Sequence, residues 1–274
     1  MDHNELPMNL REDKISEETK KLISSLPTDK DYRGNLCKYQ GCWYYYNTLQ
    51  AVINFQKHFQ PQETDVILAS SPKSGTTWLK ALTVALLERS KHVDDDDPLN
   101  HHPLLSDNPH GIVPFFENNL YLKSSTPDLT KYSSSSPSPR LFATHMPLHT
   151  LKEGLKGSPC KIVFMCRNAK DALISLWYFR CKYQKLEVTR SVLESMFESL
   201  CRGVNFYGPI WDHVLSYWRG SLEDPSRVLF MKYEEMKEEP YAQLTRLAEF
   251  LGCPFTEEEE ERRCGQDLGT LLPA

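Results

Sequence analysis

Lys73 stands in a run of small, hydroxyl-bearing and turn-forming residues: Ser70, Ser71, Pro72, Ser74, Gly75, Thr76 and Thr77. An ammonium, several hydroxyls and a glycine over so short a span suit an anion with several oxygens. The apolar run Val66–Ala69 precedes them and is long enough for one buried strand. From Thr76 to Arg89 the apolar residues Trp78, Leu79, Leu82, Ala85 and Leu86 recur at helical spacing. Strand, glycine-bearing turn and helix start together make a phosphate site. The first N–H groups of a helix lack carbonyl partners, and the helix dipole is positive there.

The Walker A arrangement is Gly-x-x-x-x-Gly-Lys-Ser/Thr, with the lysine after the second glycine. Here Lys73 precedes Gly75, and Ser70 stands where the first glycine would be. Two readings remain: a capped helix with a chance lysine, or a phosphate loop for something other than a nucleoside triphosphate. A P-loop kinase using ATP is a further function class, and the lysine position argues against it.

The elements that must hold this loop are short apolar strands alternating with helices. The strands are predicted at 66–69, 140–144, 161–167 and 227–232. The helices are predicted at 44–59, 76–89, 170–183, 191–203, 204–219 and 241–251. In the last, Leu244, Leu247, Ala248 and Leu251 share one face. Residues 91–139 read as loop, with a helical turn expected within 112–122. The alternation predicts the α/β class: a single domain with a parallel β-sheet flanked by helices and a P-loop-like phosphate-binding loop. Such sheets bind ligands at the carboxyl ends of their strands. Lys73, His145 and Arg167 all fall at or just beyond such ends.

At 274 residues the chain suits one large α/β domain or two small ones. A net charge of −5 argues against a general nucleic-acid binder. The eight cysteines form no Cys-x-x-Cys pair, so a zinc ribbon is not expected. The acidic run Asp94–Asp97 has no spaced partners and reads as a solvated loop, with no metal site. The first residues are polar and charged, unlike a leader peptide. The apolar runs fall far short of the ~20 residues of a membrane span. A cytoplasmic protein with reduced thiols is therefore expected.

Three segments in order carry a family likeness. Pro72-Lys73-Ser74-Gly75-Thr76-Thr77-Trp78 resembles the phosphosulfate loop of the cytosolic sulfotransferases. Arg140-Leu141-Phe142-Ala143-Thr144-His145-Met146-Pro147 resembles the segment with that family's catalytic base. Lys161 to Phe179 resembles its 3′-phosphate segment, and Tyr39–Tyr45 is similar to plant members in particular. The likeness runs from about residue 30 to about residue 258. It implies an enzyme that moves a sulfuryl group from 3′-phosphoadenylyl sulfate (PAPS), with no metal, to a hydroxyl of a small plant metabolite. Flavonoids, steroids, hydroxylated jasmonates and glucosinolate precursors are acceptors of the plant family.

By the same resemblance, Lys73 contacts the bridging or leaving oxygen of PAPS. Ser74, Gly75, Thr76 and Thr77 supply backbone and hydroxyl donors to the 5′-phosphate, and Trp78 faces the adenine. Core packing at a helix start is the other reading of Trp78. His145 is the general base, Arg167 and Ser175 grip the 3′-phosphate, and Tyr233 lies near the base of the nucleotide. The aromatic residues Trp43–Tyr46, Phe115, Phe116 and Trp177–Phe179 either line an apolar acceptor pocket or belong to the core.

Two departures qualify the likeness. Many animal members have Lys two places before the histidine, where this chain has Ala143. The family's closing Arg-Lys-Gly-x-x-Gly-Asp-Trp-Lys segment has no counterpart after Glu258. The ending reads as a truncation or altered frame. The layout is then a flexible segment 1–30, a sulfotransferase-like domain 31–258 and an atypical tail 259–274. It leaves open a catalytically impaired nucleotide-binding relative, and a homo-oligomer cannot be inferred.

Overall fold

A computed structural model describes residues 7–89, 102–132, 139–184 and 187–264. The acidic run 94–97 and most of the serine tract before residue 139 lie outside the described residues.

In the charged stretch 1–30 the sequence predicts a short helix near residues 16–25, and the structure has one there. After a 3₁₀ turn Met8–Leu10, helix α1 (Glu17–Ile23) begins at Ser16, whose hydroxyl accepts from the Thr19 N–H. Strand β1 (Thr28–Lys30) follows, then β2 (Asn35–Tyr39) and β3 (Cys42–Tyr45), which together form an antiparallel sheet. The sequence places Tyr44 and Tyr45 in a helix; the structure pairs them with Cys37 and Leu36 instead. Aromatic side chains fit the half-buried pleat of a strand well, and tertiary pairing overrides the weak helical pattern. Helix α2 (Tyr46–His58) starts one residue later.

The second sheet positions the chemistry. Strand β4 (Val66–Ser70) leads through the lysine loop into α3 (Thr76–Glu88). Two one-turn helices, α4 (Pro103–Ser106) and α5 (Pro109–Ile112), and a π-helical turn (Phe116–Leu120) precede β5 (Leu141–Thr144). Next come α6 (Leu148–Leu155), β6 (Lys161–Cys166), α7 (Ala169–Gln184) and α8 (Arg190–Cys201). The chain closes with α9 (Ile210–Glu223), β7 (Val228–Lys232), α10 (Tyr233–Glu238), α11 (Pro240–Leu251) and α12 (Glu257–Cys264). The helix expected from residue 204 starts only at Ile210, because Gly208-Pro209 interrupts the chain before it.

The strands run parallel in the order β5-β4-β6-β7. They are buried on both faces, so they read as continuous apolar runs rather than alternating ones. Successive side chains still face opposite ways. Ile67, Phe142, Phe164 and Phe230 join one core with residues of α2, α6 and α9. Leu68, Ala143, Met165 and Met231 join a second core with α3, α10 and α11. A buried bidentate pair, Arg140 with Asp65 at 2.7 Å on both arms, ties the start of β5 to the start of β4. The register Ala69–Thr144, Ser70–Met165 and Cys166–Lys232 brings all four carboxyl ends level. Helices α7 and α8 belong to neither core; they pack on each other beside that edge.

Candidate active site

Four chain segments leave the level strand ends, and each carries a residue singled out from the sequence. The lysine loop follows β4, His145 follows β5, Arg167 follows β6, and Tyr233 follows β7. From β4 the chain goes to β5 on one side and then crosses to β6 on the other, so the loop sits where strand order reverses.

The loop is held in a conformation with left-handed backbone at Lys73 (φ 66°) and Gly75 (φ 94°). For a lysine this costs about 1–2 kcal/mol, a strain typical of ligand clamps. Gly75 is required for a second reason. A Cβ there would lie 2.7 Å from Tyr233 Cδ2 and 2.9 Å from Met165 Sδ. The bare backbone lets the loop lie against Tyr233. The first N–H groups of α3 have no carbonyl partner within the helix. The Ser74 and Ser71 hydroxyls are buried without a hydrogen-bond partner. Thr76 Oγ1 lies 2.5 Å from Ser70 Oγ, a contact in which either hydroxyl can donate. Thr77 Oγ1 lies 2.9 Å from His110 Nε2.

Arg167 meets this loop. Its Nη1 donates to the Lys73 carbonyl at 3.3 Å, and its guanidinium lies 4.6 Å from the Tyr233 ring centre. Its Nε is buried and unpartnered. Among the described residues neither Lys73 nor Arg167 forms an ion pair with a carboxylate. Burial, and then the charge of Arg167, push the Lys73 ammonium below its ordinary pKa. Two adjacent cations without counterions, beside orphaned hydroxyls, fit an anion. Lys73 Nζ rests 4.3 Å from the Phe179 ring centre. Ser175 is one helical turn before Phe179 on the same stripe of α7. Its hydroxyl carries no hydrogen bond among the described residues, so its place near Lys73 rests on that stripe alone. Trp78 meets Tyr233 edge to face at 5.5 Å and also packs on the second core.

His145 Nδ1 lies 2.7 Å from the Ser70 carbonyl. A carbonyl only accepts, so Nδ1 carries the proton and Nε2 keeps its lone pair. Burial chiefly, with the positive charges of Lys80 and nearby histidines, pushes the ring down to about 3. It is neutral at physiological pH. The ring lies against Phe115 at 4.7 Å and Tyr207 at 5.5 Å.

Sequence reasoning missed Glu117, which organises this corner. Its buried carboxylate accepts from the His145 N–H at 2.7 Å, Thr144 Oγ1 at 3.0 Å and Tyr207 OH at 3.2 Å. Burial pushes its pKa up. Lys80 was also missed. Fully buried, it donates to Val113 O at 2.7 Å, lies 3.1 Å from His110 Nδ1, and is pushed down to about 7 by burial. An acidic residue inside an apolar run, and a lysine on the apolar side of a helix, were the available clues.

A cavity opens beside the loop at Ser71 and Pro72. Leu173, Leu176, Met196, Leu200, Tyr207 and His213 form much of its wall. The aromatic candidates from the sequence are not in it. Trp43, Tyr44, Tyr45 and Phe116 are core, Phe115 stacks by His145 and His110, and Tyr178 and Phe179 are exposed. No cluster of metal-ligating side chains occurs among the described residues. None of their helices is long and apolar enough to cross a membrane. The seven cysteines described are free thiols.

Comparisons with known proteins show the family. Residues 63–266 match the family described as Sulfotransferase domain. Cytosolic sulfotransferase 1 of Arabidopsis thaliana is 73% identical over 258 residues, covering 94% of this chain and 77% of its own length. Cytosolic sulfotransferase 6 of the same plant is 66% identical over 262 residues, with 95% and 78% covered. A solved Arabidopsis thaliana putative steroid sulphotransferase superposes with a TM-score of 0.75 at 43% identity, over 90% of this chain and 84% of that one. A mouse sulfotransferase complexed with PAP superposes at 0.59 with 25% identity, over 83% and 72%. The chain belongs to the sulfotransferase family, as a PAPS-dependent enzyme of its plant cytosolic branch.

Proposed function

We propose that this chain transfers the sulfuryl group of PAPS to a hydroxyl of a small plant metabolite with an apolar body, and that His145 is the base. The acceptor classes to test are flavonoids, steroids, hydroxylated jasmonates and glucosinolate precursors. The observation that carries the reading is the meeting of Lys73, His145, Arg167 and Tyr233 at the ends of four adjacent strands.

In this reading the acceptor hydroxyl gives its proton to His145 Nε2 as its oxygen bonds to sulfur. The bond from sulfur to the bridging oxygen breaks, and 3′,5′-adenosine bisphosphate (PAP) leaves. Lys73 and the first N–H groups of α3 meet the charge that develops on the leaving phosphate. Arg167 and Ser175 hold the 3′-phosphate, and Trp78 and Tyr233 flank the adenine. Glu117 holds the His145 backbone, and the Ser70 carbonyl holds the ring in the tautomer that a base needs. The cavity beside Pro72 receives the acceptor.

The test is transfer of radiolabelled sulfate from PAPS across phenolic and steroid acceptors without added metal. Labelled, acceptor-dependent product supports the reading. A chain that binds PAP yet labels no acceptor contradicts it.

A further inference from the structure

Arg180 is a buried cation that the transfer chemistry leaves unused. It is only 7% exposed, on the α7 stripe Leu173, Leu176, Arg180 that faces the cavity. Its guanidinium forms no hydrogen bond or ion pair among the described residues, and its Nη1 is buried without a partner. Its guanidinium lies 4.6 Å from the Tyr32 ring centre. The Tyr32 hydroxyl is itself buried, unpartnered and on the cavity wall. Asp31 attracts Arg180 from a distance, but its oxygens already accept from Tyr45 OH and from the Arg33 and Gly34 N–H groups.

The remaining orphaned groups on the wall differ in kind. Ser71 Oγ is a small hydroxyl beside the loop, whereas His213 Nε2 and Asn205 Oδ1 are acceptors. The His213 Nδ1 faces the Tyr207 carbonyl at 3.2 Å, which leaves Nε2 without a proton. Such acceptors suit neutral hydroxyls. A guanidinium and a phenol hydroxyl suit an anion, because a buried charge without a partner is costly until one arrives. One full charge and one neutral donor match a monoanion better than a dianionic phosphate. The planar fork matches a carboxylate through two parallel hydrogen bonds.

We infer that the acceptor of this enzyme carries a carboxylate besides its reacting hydroxyl, and that Arg180 with Tyr32 binds it. The inference rests on the transfer reading above and narrows its substrate class to hydroxylated carboxylic acids with an apolar body.

The test compares three acceptors with PAPS: ω-hydroxydecanoic acid, its methyl ester, and the neutral phenol β-naphthol. The wild-type enzyme is expected to favour the acid over the ester by about tenfold or more in kcat/KM, the worth of a charge-assisted pair. Arg180→Met is expected to remove that preference, and Tyr32→Phe to weaken it. The ratio is read on one preparation, so a partly folded variant does not distort it, and Tyr32→Phe serves if Arg180→Met fails to fold. If wild type labels β-naphthol but treats acid and ester alike, this inference falls and the transfer reading stands. If the variants keep the wild-type ratio, Arg180 is structural and the inference is also overturned. If none of the three acceptors is labelled by a chain that binds PAP, the transfer reading falls and takes the inference with it.

Discussion

His145 donates from Nδ1 to the Ser70 carbonyl at 2.7 Å, so the last residue of β4 sets the tautomer of the residue that follows β5. Parallel pairing of β4 with β5 puts the two at neighbouring strand ends. Replacing His145 with alanine leaves the loop and Arg167 in place but removes the base. Transfer is expected to fall by roughly 10²–10⁴-fold, with PAP affinity within about twofold of wild type. Kinetics beside a PAP titration check this; equal loss of both would contradict the assignment.

Gly75 carries the closest approach in the loop. Alanine there would meet Tyr233 and Met165 at 2.7 and 2.9 Å, at a φ of 94°. Gly75→Ala is expected to cost about 1–3 kcal/mol of stability and to weaken nucleotide binding, since the loop or Tyr233 must move. Urea unfolding and a PAP titration read the two effects. A variant with wild-type values in both would show that the loop is more pliable than its contacts indicate.

Arg167 is assigned the 3′-phosphate, so its effect must depend on that phosphate. Lysine keeps the charge and loses the fork. Arg167→Lys is expected to weaken PAP by about tenfold or more while changing 5′-AMP little, because one charge-assisted hydrogen bond is lost. Isothermal titration of both ligands measures it. A parallel loss for both would place Arg167 in a merely structural role.

Buried histidines give the fold an acid limit. Burial pushes His213 down to about 4 and His145 to about 3 from an ordinary value of 6.5. As pH falls below 6.5 the unfolded chain takes up protons that the folded chain refuses. The stability is therefore whole above about 6.5 and is lost as pH drops toward 4. The His213 shift alone corresponds to about 3 kcal/mol. The expected result is a thermal midpoint that declines across that window, and declines less in His213→Asn. A midpoint that is flat from pH 7 to 4, or a variant with the wild-type slope, would count against this.

Much of the site could be read before any coordinates, because it consists of short segments that follow strands. The apolar run 66–69 and the spacing of Trp78, Leu79 and Leu82 locate the lysine loop by local pattern alone. His145 and Arg167 stood at predicted strand ends, and a level parallel register did the rest. Glu117, Lys80 and His213 were not legible, since their roles come from burial against distant chain. Glu117 meets Thr144, His145 and Tyr207 only through tertiary packing. The antiparallel sheet was missed for a similar reason: strands of three to five residues owe their state to pairing more than to propensity. The cavity wall likewise comes from facing sides of α7, α8 and α9, which no local pattern connects.

In the proposed reading Lys73, Arg167 and the start of α3 form one cleft for an adenosine with anions at both ends of its ribose. Side-by-side calorimetric titration of PAP and ATP, each with and without Mg²⁺, tests it most directly. PAP is expected to bind at least about tenfold more tightly than ATP, and to do so without the metal. Equal affinity for ATP, or tight binding only with Mg²⁺, would contradict it.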